Sequence, residues 1–83
     1  TNVFKEALAT IPNDVSLQVE WSFSISDKID ARLKELGITQ KEFAHMMGKT
    51  EAEVSRWLGG THNFTLETLA KISAVLNEDL IHM

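Results

Sequence analysis

Apolar side chains recur along this chain in runs of helical period, and the runs are punctuated by Pro12, Gly37, Gly48 and the Gly59–Gly60 pair. Val3, Phe4, Ala7, Leu8 and Ile11 form the first run, a short helix that Pro12 ends because a proline disfavours helix at the residue before it. Asn13 or Asp14 is then placed to cap the next element. From Val15 to Ile25 the pattern carries two periods at once. Val15, Leu17, Val19, Trp21, Phe23 and Ile25 alternate with polar residues as in a strand, yet they also fall into two i,i+4 rows as in a helix. No second segment is available to pair with a strand, and a single strand is not stable. A helix is therefore favoured, continuous with Ile29, Leu33 and Leu36 and ending at Gly37. The alternative is a strand paired with its own copy across a dimer.

Ile38 to Asn63 holds two shorter amphipathic runs, each with its own start signal. Thr39 and Glu42 have capping-box spacing, and Thr50 and Glu53 repeat it eleven residues later. Ile38 and Phe43 are spaced as a hydrophobic staple. Met46 and Met47 read as gap-filling core or interface, and Trp57 reads as a packing residue. A Gly-containing turn between two such short helices predicts a steep helix-turn-helix arrangement. A last helix starts at the cap Thr65, with Phe64 and Leu69 as its staple and Leu66, Leu69, Ile72, Ser73 and Leu76 as its core face. After Asn77 the tail EDLIHM is available for one more helical turn, with Leu80 and Ile81 for packing or dimerisation.

The segment resembles the lambda-repressor-like (Cro/XRE) helix-turn-helix family. Thr39, Gln40, Phe43, Ala44, Met47, Gly48, Thr50, Val54, Ser55, Trp57, Leu58 and Gly60 match its pattern, which continues through Leu69, Ile72 and Leu76. The resemblance covers about residues 25–80. The expected fold is all-α, about five helices, with an N-terminal helical extension over residues 1–24 and a helix-turn-helix domain over residues 25–83.

Composition narrows the class. A chain of 83 residues holds one small domain. Without Cys it has no disulfide framework and no thiolate metal site, which fits the cytoplasm. No apolar run reaches a membrane span, and the N-terminus lacks the pattern of a signal peptide. The chain opens on Thr1 rather than Met, which is compatible with residues upstream of it. His45, His62 and His82 do not share a ligand spacing, so neither a metal nor a cofactor is expected. No nucleophile–base arrangement is present, and no enzymatic activity is expected.

The net charge of −4 runs against DNA binding until it is divided. Six of the eight basic residues lie within residues 26–64, where they balance six acids, and the acidic excess sits in the two flanks. Phosphate contact responds to the local face more than to the total.

In a helix-turn-helix the second helix enters the major groove. Here that helix runs from about Glu51 to Leu58. Val54, Trp57 and Leu58 point to the core, and Ala52, Ser55 and Arg56 lie on or near one outer face. Arg56 is the leading base reader, because its planar fork matches guanine O6 and N7; a surface Arg paired to Glu53 or Glu51 is the plainer alternative. Ser55 can donate to a base or a phosphate, and Ala52 can meet a thymine methyl. Glu51 matches a base-reading position of the family and can accept from cytosine N4, though it equally stabilises the helix N-terminus. The resemblance implies that Gln40 contacts phosphate at the start of the first helix. Lys41, Lys49, Thr61, His62 and Asn63 are further candidate contacts, with Thr39 and Thr50 at the two helix starts.

These expectations amount to a sequence-specific repressor that binds a palindromic duplex operator as a homodimer. Small size, acidic flanks and the N-terminal extension also resemble antitoxins of HigA type, which repress their own operon and neutralise a ribonuclease toxin. A phage-type or orphan regulator is the nearest alternative. A protein-interaction module that kept the fold and lost DNA binding is the rival from another class, supported by Glu51, Glu53 and the negative charge.

Overall fold

The computed structural model describes residues 13–81, which contain four α-helices and no strand. They are α1 (Asn13–Leu36), α2 (Gln40–Met47), α3 (Glu51–Leu58) and α4 (Leu66–Leu76). The expected first helix over Val3–Ile11 lies outside the described residues, so the count among these residues is four rather than about five. The ambiguous stretch Val15–Ile25 is helical and forms the front half of α1. Asn13 and Asp14 stand inside its first turn rather than before it.

Helix ends are set by local chemistry. At the end of α1, Ile38 N–H reaches back to the Leu33 carbonyl and Gly37 N–H to Lys34. The same pair of bonds closes α2, from Lys49 to Ala44 and from Gly48 to His45. Gly48 sits at φ 70°, the left-handed region in which a Cβ is costly. Asn77 takes that role at the end of α4, at φ 53°.

Ile29 and Leu33 of α1 meet Phe43 and Ala44 of α2, Val54 and Trp57 of α3, and Leu69, Ile72 and Leu76 of α4 in one core that Leu80 closes. Ile38, Met47, Leu58 and Phe64 pack at its margin. Phe43 and Trp57 meet edge to face, ring centres 6.1 Å apart, and couple α2 to α3.

The second half of α1 also binds the open ends of two other helices. Ser26 is buried where α1 approaches α3, and its hydroxyl donates to the Trp57 carbonyl. Arg32 Nε donates to the Leu76 carbonyl at 2.9 Å, while the same guanidinium pairs with Glu35 at 3.3 Å and Glu78 at 3.8 Å. A cation at a helix C-terminus meets both the orphan carbonyls and the negative end of the dipole.

The expectation of Leu66 on a core face needs correction, and of the two readings of Met46, core or interface, only the first is removed. Leu36, Met46 and Leu66 are exposed, although each falls at a helical core spacing. Leu36 and Leu66 stand in the end turns of their helices, where no neighbouring element extends far enough to cover them. Met46 lies on the outer side of α2, opposite Ala44. The tail also departs from its expected helical turn: Glu78–Ile81 are non-helical, because Asn77 redirects the chain and Leu80 is pinned in the core.

Gly60 shows how tightly α1 closes on the end of α3. Its φ is 94°, and a Cβ built there would lie 2.3 Å from Phe23 Cε1. The Phe23 ring is half exposed and can swing away, so the lasting cost of a side chain is the backbone conformation. Gly60→Ala is expected to lower the unfolding free energy by about 1–3 kcal/mol, read from urea denaturation. A loss below about 0.5 kcal/mol, the range of an ordinary surface change, would show that the turn relaxes without strain.

Candidate nucleic-acid interface

Both helices of the central pair start as their sequence spacing predicts. The Thr39 hydroxyl accepts from Glu42 N–H at 3.1 Å, and Glu42 Oε1 accepts from Thr39 N–H at 2.8 Å. In α3 the Thr50 hydroxyl accepts from Glu53 N–H at 3.1 Å, and Glu53 Oε1 accepts from Thr50 N–H at 3.1 Å. These bonds use the amides of Thr39, Glu42, Thr50 and Glu53. The first-turn amides of Gln40 and Lys41, and of Glu51 and Ala52, make no bond within the described residues. N–H groups so placed at the positive end of a helix dipole suit an anionic oxygen.

Bonds from the Thr50 backbone amide and hydroxyl hold the Glu53 carboxyl below the usual glutamate range, helped by Lys49 and Arg56. A depressed carboxyl pKa contributes stability that is complete above the unfolded value and is lost as pH falls through the folded one. Thr50→Ala removes the cap and is expected to cost about 1 kcal/mol at neutral pH. It should also flatten the acid limb of the stability profile, measured by urea titration between neutral pH and the glutamate range. An unchanged acid limb would locate the sensitivity elsewhere.

Three residues, Gly48, Lys49 and Thr50, separate α2 from α3. Successive side chains turn by about 100° around a helix. Val54 and Trp57 of α3 are therefore buried on one side with Leu58 partly covered, while Glu51, Ala52, Ser55 and Arg56 are all exposed on the other. The outer face expected from sequence is present. Arg56 makes no ion pair or side-chain hydrogen bond among the described residues, to Glu51, Glu53 or any other group.

The basic residues of this region divide by task. Arg32 is held at the end of α4, Lys34 pairs with Asp30 at 2.9 Å, and Lys28 reaches the Leu80 carbonyl at 3.4 Å. Lys41, Lys49 and Arg56 are exposed on the helix pair, with no side-chain partner among the described residues. Gln40, at the first position of α2, is exposed as well.

The loop after α3 is mixed. Thr61 and Asn63 face solvent. His62 is partly buried, its ring 4.8 Å from Phe64 in an edge arrangement and 6.5 Å from Trp57. It helps close the core over α3, a packing role that its sequence context does not signal. Ser26 and Arg32 are likewise supporting side chains without a local signature, since each acts on a carbonyl far away in the chain.

Among the described residues, no group of His, Asp and Glu side chains is arranged to hold a metal ion. No described helix is long and apolar enough to cross a membrane. Searches of curated proteins and of solved structures return no match. A helix-turn-helix family model matches residues 29–82, which spans all of α2, α3 and α4 together with the last turns of α1. The chain belongs to the helix-turn-helix family of Cro/XRE type, and its family character is that of a DNA-binding transcriptional regulator.

Proposed function

We propose that the chain is a repressor that binds a palindromic operator as a homodimer, with α3 in the major groove. Arg56 carries this reading: it is exposed on the outer face of α3, beside Ser55 and Ala52, with no partner to hold its guanidinium away from DNA. In the proposed complex Arg56 takes guanine O6 and N7, Ser55 and Ala52 meet the neighbouring bases, and Glu51 accepts from a cytosine N4. Gln40 with the open amides of α2, and Lys41, Lys49, Thr61 and Asn63 around them, position the duplex through its phosphates. Thr39 and Thr50 act mainly by holding the two helix starts, and His62 by closing the core beneath them. No step requires a cofactor or catalysis.

Within this class the antitoxin of a toxin–antitoxin pair is the role we favour. Acidic flanks on both sides of a charge-balanced helix-turn-helix suit a second, basic partner protein such as a ribonuclease toxin. A regulator without a toxin shares the same DNA mechanism. Glu51, exposed in the first turn of α3, favours one rival: a module whose recognition face has turned from DNA to protein.

Selection from a random duplex pool separates these readings. An enriched inverted repeat, bound with affinity that falls steeply with salt, is the expected result. No enrichment even at low salt would transfer the weight to the interaction module.

A further inference from the structure

The front half of α1 extends past the domain that its second half helps to build. Every residue from Asn13 to Trp21 is exposed, and Ser22 is the first buried side chain. Around this helix Val15, Val19 and Phe23 lie on one flank and Leu17, Trp21 and Ile25 on the other. The narrower stripe opposite carries Ser16, Glu20 and Ser24. With about 100° between successive residues, the two flanks and the gap between them span roughly two-thirds of the circumference. Gln18 and the buried Ser22 occupy the gap, so the helix carries two apolar flanks. Exposed apolar flanks on both sides of a helix belong against other elements. Beside it runs a groove of about 430 Å³, lined chiefly by Trp21, Ile25, Phe64, Leu66, Leu69 and Ile81.

We propose that this arm and this groove form the contact between two copies of the chain, the front half of each α1 lying across the groove of its partner. Each copy carries one projecting arm and one adjoining groove, so a two-fold axis lets each fill the other, as an isologous interface requires. The area agrees with that use. The five exposed apolar side chains of the arm range from 37% exposed at Leu17 to 62% at Trp21. At about 150–250 Å² for Trp and Phe and less for Val and Leu, they leave at most roughly 500 Å² of apolar surface on each copy. Leu66, 71% exposed, and Ile81 at 37% add to it across the groove. Two copies reach the roughly 1,000 Å² that a specific interface needs when both flanks of each arm and the groove residues are covered. Trp21 is the anchor, the residue type most enriched where interface energy concentrates.

This interface deepens the proposed function by supplying its two-fold axis, and it is tested without DNA so that either can fail alone. Sedimentation equilibrium of the full chain across micromolar concentrations should give a dimer. Trp21→Asp and Leu17→Asp should each raise the dissociation constant by about 30-fold or more. Both positions are exposed, and in Trp21→Asp the remaining Trp57 reports a folded core by its blue-shifted emission. A wild-type monomer overturns the proposal, and deletion of residues 1–12 then asks whether the chain's own leading segment covers the arm. A dimer unaffected by both substitutions also overturns it, since the contact would lie elsewhere.

Discussion

Phe43→Ala is expected to remove about 3–5 kcal/mol of stability, the usual cost of truncating a fully buried aromatic. The side chain is completely enclosed and lies edge to face with Trp57, so its loss opens a cavity where α2 and α3 meet. An 83-residue domain has at most several kcal/mol in hand. The variant should therefore be largely unfolded at physiological temperature, and any folded fraction should hold its recognition helix loosely. Urea denaturation followed by circular dichroism measures the loss. Met46→Ala is the control: it lies on the same helix but is half exposed, and its change should stay within about 0.5 kcal/mol. A Phe43→Ala loss under about 1 kcal/mol would mean that the neighbouring helices close the gap and the core is more plastic than its packing indicates.

Arg56→Ala should have the opposite signature, leaving stability unchanged while reducing base discrimination. The Arg56 side chain is exposed and makes no hydrogen bond or ion pair among the described residues. Truncation therefore leaves no buried group unpaired and removes only a minor charge contribution to Glu53. A bidentate contact to guanine contributes about 1–3 kcal/mol of discrimination, or roughly 5- to 150-fold between the right and wrong base pair. The loss should be concentrated at one symmetry-related position in each half-site. Competition binding against operators changed one base pair at a time measures it. A uniform weakening across all sequences would make Arg56 a phosphate contact, and unchanged discrimination would remove it from the interface.

Much of the local structure was legible because it is written in short-range spacing. The two capping boxes need residues only three apart, and both form as their Thr and Glu positions imply. Gly48 marked the turn because few other residues accept its backbone angle. Val15–Ile25 could be read as a helix despite its alternation only by asking what a strand would pair with.

Positions that depend on where one helix stops against another were harder. Leu36, Leu66 and Met46 have core spacing yet lie outside the core, because periodicity assigns a face and not the extent of what covers it. The tail has a usable signal in retrospect: an Asn can adopt the left-handed cap conformation, and Asn77 does so ahead of the buried Leu80. The Ser26 and Arg32 bonds to distant carbonyls had no such signal, nor did the inward turn of His62. On α3 the division into a buried and an outer face was read correctly, since an eight-residue helix carries its own phase. Which outer residues touch bases is set by the duplex.

Methylation interference on the selected operator addresses that contact most directly. If Arg56 reads a guanine from the major groove, methylation of one guanine N7 in each half-site should block the wild-type protein and make no difference to Arg56→Ala. Interference confined to minor-groove adenines, or the same guanine pattern for both proteins, would contradict the assignment of α3 and Arg56 as the reading element.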